Sequence, residues 1–377
     1  MNAPLHEKLK NVEWGEYEIG DLFEKLNLRF LKPTFDKEND ISKEKSLEFN
    51  LPLVNAKDGN NGVMYYGRSQ DFESAEMTID IVNDGAVSTG NVYPQPQKTG
   101  VLYNAYLIKP KFSANEKLLH FFTSIIFKSI KHKFGYENKA GWDKVKQEKI
   151  QLPIKNNEID FVFMESFIAE IEAERIENLK TYLTVVGLND YTLTTNEQKV
   201  LKDFENGKVE YNKFVYKSVF NKIVQGRRLK KDDQILGDIP FVMAGTTNAG
   251  IVNYISNPVA SFPKNSITVD IFGNAFYRNY DFGAGDDTGV YWNDEKEYSK
   301  ETMLFFTAAI EKSLLGKFDF GKKLRSSQSL NFNIQLPTKN NHPDYKTMET
   351  LISAVIKLVI KDVVLYMNKK SGKQKAG

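Results

Sequence analysis

IQLPIKNN at residues 150–157 and IQLPTKNN at residues 334–341 agree at seven of eight positions within one chain. Working outward from this pair, the flanking sequence matches as well. FFTSIIFKSIKHKFGYENK from Phe121 lies over FFTAAIEKSLLGKFDFGKK from Phe305 with 9 of 19 identities. LPLVNAKDGNNGVMYY from Leu51 lies over IPFVMAGTTNAGIVNY from Ile239, and VEWGEYEIGDLF from Val12 over VEYNKFVYKSVF from Val209. The order of blocks is kept while the offset falls from 197 to 184, so the copies share a frame and differ by insertions between its pieces. A unit this long is a duplicated domain with its own core, because solenoid repeats of ~20–50 residues cannot fold alone.

After each IQLP block the pattern changes to helix. From Asp160, Phe167, Ile168, Ile171, Ile176, Leu179 and Leu183 recur at the three-and-four spacing of one helix face, and Gly187 reads as the C′ glycine. From Asp344, Leu351, Ile352, Val355, Ile360, Val363 and Met367 keep the same frame, and this helix is apolar on more than one side. Such a surface needs burial, so the two helices are expected to pack as a coiled-coil-like pair. About 27 residues at 1.5 Å each make a rod of roughly 40 Å. Between the first helix and the second copy, Thr195 followed by Gln198 resembles a capping box opening a short linker helix. Before each helical block the signals are mostly β. ITVDIF, VLYNAYLI and GIVNYI sit between Gly-rich or Asn-Gly turns, with one buried helix per copy at FFTSIIFKSI and LFFTAAIEKSLL. Each copy is thus expected to be a mixed α/β globule.

Composition narrows the class further. The 377 residues carry 51 Lys and Arg against 49 Asp and Glu, a net charge of +2, which by itself does not mark a nucleic-acid binder. Cysteine is absent, which removes disulfide frameworks, thiolate metal sites and cysteine nucleophiles and fits a reducing cytoplasm. The opening MNAPLHEKLKNVEWGEYEIG has no apolar core behind its charges, and no stretch reaches 18 uncharged apolar residues, so neither export nor membrane insertion is expected.

Catalytic signatures are missing. There is no P-loop and no His-Glu-x-x-His, and His6, His120, His132 and His342 are scattered without ligand spacing, so no metal site is implied. Gly283-Ala284-Gly285 with Gly289 has the wrong last spacing for a dinucleotide loop and reads as a β-turn. Acid–lysine clusters such as Asp143-Lys144-Val145-Lys146 arise by chance in a chain with 27% charged residues. No Asn/Asp-Pro-Pro turn of a base methyltransferase is present, so no catalytic residue is assigned.

Polar and basic clusters remain, mostly at matching places in the two copies. Arg29 and Lys32 in the first copy and Arg227, Arg228, Lys230 and Lys231 in the second follow the first apolar block. Four cations on one short turn repel unless an anion sits opposite, which favours phosphate or guanine contact; in the first copy a solvated loop is an equal reading. The segment 57–62, with Lys57, Asn60 and Asn61, matches 245–250, with Thr246, Thr247 and Asn248, and both read equally as hairpin turns and as base-edge or phosphate partners. Lys133, Lys139, Lys144 and Lys146 match in part Lys317, Lys322, Lys323 and Arg325. Tyr136 and Phe320 are interleaved among them and read as the edge of the core. Arg68 and Arg278 complete the candidate set.

Two α/β copies, each ending in Ile-x-Leu-Pro and followed by a long helix opening Met164-Glu165-Ser166-Phe167-Ile168 or Met348-Glu349-Thr350-Leu351-Ile352, resemble the specificity subunits of type I restriction-modification systems and the related subunits of bifunctional type II systems. The Trp14 to Phe23 opening also belongs to the resemblance, which covers nearly the whole chain. It implies an α/β (α+β) fold of two tandem target recognition domains separated by long helices that pack as an antiparallel coiled-coil pair. The expected layout is a first target recognition domain over 1–157, a spacer helix over 158–187, a linker over 188–208, a second recognition domain over 209–341, a second spacer over 342–370 and a basic tail over 371–377. Each copy would read one half of a bipartite site in double-stranded DNA, and the divergent loops imply two unlike half-sites. The helices would act as a ruler, a ~40 Å rod being close to the 34–36 Å of one DNA turn. They would also dock methyltransferase subunits, with a restriction or translocase subunit as a further partner. The partner would supply S-adenosylmethionine and flip an adenine out of the stack; this chain would bind no cofactor. A freestanding nuclease and a duplicated interaction module are the alternative readings, marked respectively by activity of the isolated chain and by binding without steep salt dependence.

Overall fold

The deciding octapeptides are β-hairpins. In this computed structural model, which describes residues 3–258 and 261–374, Lys149–Lys155 and Asn333–Lys339 are strands in which Ile150, Leu152, Ile334 and Leu336 are buried and Gln151 and Gln335 are exposed. Alternation of this kind buries one face of a pleated strand. Each strand then turns through two asparagines with positive φ, 53° and 66° at Asn156 and Asn157, 51° and 62° at Asn340 and Asn341. A two-residue hairpin turn of the I′ type requires left-handed backbone at both central positions, and Asn tolerates it best after Gly. The backbone thus accounts for the near-identity of these segments.

Each hairpin opens a helix through an aspartate. Asp160 Oδ1 accepts from the Phe163 N–H at 2.8 Å and Asp344 Oδ1 from the Thr347 N–H at 3.1 Å, so both cap a helix N-terminus. Six longer helices are labelled in chain order: α1 (Ala3–Asn11), α2 (Glu116–Ile130), α3 (Phe161–Val185), α4 (Thr195–Glu205), α5 (Lys300–Leu314) and α6 (Tyr345–Gln374). Gly187 ends α3 with φ 70°, and the Leu188 N–H closes the end on the Leu183 carbonyl at 2.8 Å. The capping box of α4 is formed by Thr194 and Glu197, one residue earlier than the sequence reading placed it.

Two compact units result, one running up to Leu179 and the other spanning Lys180–Lys373. In the first, Glu13–Glu18 pairs antiparallel with Lys149–Lys155. A four-stranded sheet follows in the order Phe23–Lys25, Ala105–Pro110, Thr78–Val82, Val92–Gln95. A second is ordered Ile41–Ser42, Val63–Gly67, Leu51–Val54, Gly100–Val101. The second unit repeats the first two sheets with the same pairings, its central strands being Thr288–Trp292 with Ser266–Asp270. It keeps the core of the third, Leu236–Val242 between Ile251–Ile255 and Phe282–Ala284, but its edge strand is Ser261–Phe262 beside Phe282–Ala284, where the first unit has Ile41–Ser42 beside Val63–Gly67. In each unit the buried face of α2 or α5 covers the first four-stranded sheet, through Phe122 and Ile126 or Phe306 and Ile310.

The start of α3 departs from the expectation of helix-to-helix packing. Phe167, Ile168 and Ile171 belong to the core of their own unit, with Phe121, Phe122 and Met164. Leu183, Leu351 and Met367 are buried, Leu179 and Ile352 are half-buried, and Val355 and Val363 stand 39% and 38% exposed. Of the expected basic tail, residues 371–374 continue α6, and 375–377 lie outside the described residues. No helix among the described residues is long and apolar enough to cross a membrane.

Candidate nucleic-acid interface

A β-hairpin turn in each unit anchors an edge of loops. In the first unit the turn at residues 57–62 has left-handed backbone at Asn60 and Asn61, φ 48° and 51°. Asn60 Nδ2 donates to the Val63 carbonyl at 2.9 Å and Asn61 Nδ2 to the Pro94 carbonyl at 2.7 Å. These amides are therefore engaged by the turn itself. Loop 84–91 joins through Asn91 Nδ2, which donates to Asp58 Oδ1 at 2.9 Å. Loop 131–140 joins from the other side: Lys131 Nζ donates to the carbonyls of Val87 and Thr89 at 2.7 and 3.0 Å, and Lys139 pairs with Asp84.

The same edge forms in the second unit. Thr246 and Thr247 are exposed and Asn248 has φ 49°, its Nδ2 reaching the Ile251 carbonyl at 3.5 Å just as Asn60 reaches Val63. The Gly245 N–H donates to Asp270 Oδ2 at 3.1 Å, which ties the turn to loop 270–274. That loop meets the segment after α5, where the Phe272 and Phe320 rings lie 5.0 Å apart. The basic segment also starts here. The Arg227 N–H donates to the Ala284 carbonyl at 2.9 Å, Gln225 Nε2 to Asp286 O at 3.0 Å, and Arg325 Nη1 to the same oxygen at 2.7 Å. Gly226 permits this approach, since a Cβ there would sit 2.2 Å from the Gly285 carbonyl oxygen. Gly283-Ala284-Gly285, set aside above as a nucleotide loop, is a strand end that supports this edge.

The candidate cations differ sharply in how they are used. Arg227, Arg228, Lys230 and Lys231 are exposed and their side chains have no partner among the described residues. Lys323 is likewise exposed and unpaired, while Lys322 lies over the Phe318 ring at 5.7 Å. In the first unit most are neutralised. Lys32 bridges Asp40 and Asp71 at 2.8 and 2.7 Å, and Arg68 reaches Glu48 at 2.6 Å and Asp71 at 3.4 Å. Those carboxylates raise both pKa values, Asp40 first for Lys32 and Glu48 first for Arg68. Arg68 moreover follows the far end of strand Val63–Gly67, a strand length from the Asn60–Asn61 turn. Lys144 donates to Asn138 at 2.7 Å and Lys146 pairs with Asp143 at 2.8 Å. Arg29 and Lys57 keep free side chains among the described residues, Arg29 exposed and Lys57 half-buried.

Arg278 is a correction. It is 2% exposed, with Nε on Thr268 Oγ1 at 3.0 Å, Nη1 on the Tyr280 hydroxyl at 3.1 Å and Nη2 on the Ala249 carbonyl at 2.6 Å. Its role is matched in the first unit by Gln95, whose Nε2 donates to the Asn61 carbonyl at 2.7 Å. Both brace the left-handed turn from beneath, so Arg278 serves the fold and does not reach DNA. The aromatics are a correction in the opposite sense: Tyr136 is 77% and Phe320 85% exposed, so neither edges the core. Sequence reasoning also missed Asp80, beneath the turn in the first unit, where both carboxylate oxygens are buried and unpartnered. Burial drives its pKa well above the ordinary value, since the charged form loses its hydration without gaining a partner. The second unit has Thr268 at the matching strand position, bonded to Arg278. No group of three or more acidic or histidine side chains able to hold a metal occurs among the described residues.

Comparison with known proteins bears on this two-unit arrangement directly. Residues 11–181 and 208–364 each match the family described as type I restriction modification DNA specificity domain, one match per copy. Over 350 residues the chain is 27% identical to the specificity subunit S.BcgI of a type II restriction enzyme from Heyndrickxia coagulans, covering 90% of this chain and 93% of that one. It is similar in fold to the S subunit of a type I restriction-modification system from M. genitalium, with a TM-score of 0.58, 15% identity, and 97% and 94% of the two chains covered. With most of its length covered by two successive matches to one family, the chain belongs to the restriction-modification DNA specificity subunits, which recognise DNA and are not themselves catalytic.

Proposed function

We propose that each unit presents its loop edge to one half of a bipartite site in double-stranded DNA, and that a separate methyltransferase subunit, carrying S-adenosylmethionine, modifies adenine there. The observation that carries this reading is the row of unpaired cations, Arg227, Arg228, Lys230 and Lys231, beginning at the edge where loops 245–250, 270–274 and 318–326 converge. Unpaired cations are available to phosphates, and guanidinium groups also to guanine O6 and N7 in the major groove. Thr246, Thr247, Lys322, Lys323 and Arg325 are also exposed, on two of the converging loops. In the first unit the contact falls to Arg29 and Lys57, whose side chains are free among the described residues, and to Lys144, which is bonded only to the uncharged Asn138 amide; Tyr136 is exposed on the loop that precedes it.

The long helices α3 and α6 serve as spacer and docking surface; their lengths of 25 and 30 residues support this role. The protein acts in the cytoplasm, where its DNA is. The test is binding of the chain, with its methyltransferase partner, to DNA selected from a random library. Affinity falling as a steep power of salt concentration, with a sequence preference in two separated blocks, supports the reading. Binding that ignores salt, or one contiguous motif, contradicts it.

A further inference from the structure

The two units differ most in how they fill one groove. In the first, α1 runs directly into strand Glu13–Glu18, and its Leu5, 3% exposed, joins a core with Phe121 and Phe167, against which Leu9, Ile125, Ile168 and Ile171 also pack. Two further contacts hold α1 in place: Lys8 pairs with Glu170 on α3 at 2.6 Å, and Trp14 Nε1 reaches the Leu9 carbonyl at 3.4 Å.

The second unit carries the same groove without that filling. The repeat sets Phe305, Ala309, Leu351, Ile352 and Val355 at the positions of Phe121, Ile125, Phe167, Ile168 and Ile171, and all five line an open cavity of about 990 Å³. Three of the five are smaller than their counterparts, which deepens it. The helix preceding this copy, α4, is tied elsewhere, since Glu197 accepts from Ser353 at 2.6 Å and Lys357 at 3.0 Å. Only Phe204, 47% exposed, reaches the groove from α4. Its charged lining residues are Lys213, Lys312 and Lys317, none with a partner among the described residues, and no carboxylate is among the described residues that line it.

We propose that this groove of the second unit is a docking site for an acidic amphipathic helix of the methyltransferase partner, with apolar side chains at i and i+4 in the place that Leu5 and Leu9 take in the first unit. The first unit shows what the groove accepts, an amphipathic helix laid on its apolar floor. The lysine rim selects the charge of the occupant. It also argues against α1 of a second copy, whose Lys8 and Lys10 would face the three lysines. Because the first unit fills its groove with its own chain, the contact is one-sided.

The inference rests on the proposed function and separates from it in the test. The photo-crosslinker p-benzoylphenylalanine is placed at exposed Ala308, which lines the groove, and at Ser124, its exposed counterpart, in the complex with the co-expressed methyltransferase subunit. The Ser124 probe should capture residues 3–11 of the same chain, and the Ala308 probe an acidic helical segment of the methyltransferase. Ala309→Trp, which fills the groove from an open wall, should weaken the partner about tenfold or more with the melting temperature unchanged. Lys312→Glu with Lys317→Glu should weaken it further and flatten its salt dependence. An Ala308 probe that captures nothing, a non-helical or basic segment, or α1 of another copy in a complex that still assembles and methylates overturns the groove and leaves the function standing. Absence of any complex overturns both.

Discussion

Two turns at matching positions, Asn60-Asn61 and Asn248-Ala249, adopt the same left-handed backbone and are braced from below by different residues, Gln95 in one unit and Arg278 in the other. Under the first brace lies Asp80 with no partner; under the second lies Thr268, bonded to the guanidinium. On the surface the pattern reverses: the first unit's Lys32 and Arg68 are neutralised by Asp40, Asp71 and Glu48, while the second unit's basic row is free. The frame of each copy is thus one solution, repeated, and the charges hung on it have been reassigned between fold and surface. A net charge of +2 conceals this, because it sums over paired and free cations alike, and the free candidates are unevenly divided between the two units.

The largest effect expected from breaking the comparison is at Arg278. Arg278→Ala should lower the stability of the second unit by about 3 kcal/mol, since Thr268 and the Ala249 carbonyl lose their buried partner. Gln95→Ala should cost less, about 1 kcal/mol, an uncharged amide having been removed. Chemical denaturation read from each unit separately checks both, and equal losses would show that the braces are interchangeable.

Next in size is DNA affinity. Arg227→Ala with Arg228→Ala should reduce binding about tenfold or more and lower the salt slope by about 2, whereas Lys32→Ala should leave the slope unaltered because its charge is answered within the unit. Slopes from titrations at several salt concentrations decide between them. A smaller, opposite effect is expected at the buried carboxyl. Asp80→Thr should stabilise the first unit by about 1 kcal/mol at neutral pH. The sign follows from burial: a raised folded-state pKa means the unfolded chain ionises first, so Asp80 weakens the fold progressively above the ordinary aspartate range, and the gain from its removal should vanish at low pH.

The smallest expected effect lies in the linker helix. Burial alone would raise the Glu197 pKa, but the Ser353 hydroxyl, the Thr194 N–H and Lys357 outweigh it and hold the carboxyl at about 2. A depressed carboxylate contributes stability that is complete above its ordinary value near 4.5 and is lost as pH falls toward 2. Glu197→Gln should therefore remove part of the acid transition of the second unit in that window, and an unchanged acid curve would show the pairing with Lys357 to be idle.

What the sequence made legible was whatever the backbone dictates twice. Asn156-Asn157 and Asn340-Asn341 had to recur because both turns need left-handed residues, and Asp160 and Asp344 because both helices need caps. The hydrophobic spacing also revealed α3 and α6, although Phe167, Ile168 and Ile171 pack into a globule where helix pairing was expected, since one apolar face fits either partner. The site was legible only in part. A cation in a string of letters does not disclose whether a carboxylate from another loop will meet it, as Asp71 meets Lys32, or whether a strand will carry it inward, as happens to Arg278. Tyr136 and Phe320 were misjudged for the same reason, aromatic character being common to core edges and to exposed contacts.

The central claim, that two copies of one frame read two unlike half-sites, is tested most directly by co-expressing the chain with its methyltransferase subunit and mapping methylated adenines by single-molecule sequencing. The account predicts one bipartite motif with unlike halves about one helical turn apart, and Arg227→Ala with Arg228→Ala relaxing only one of them. A palindromic motif, relaxation of both halves together, or a soluble complex that methylates nothing would contradict it.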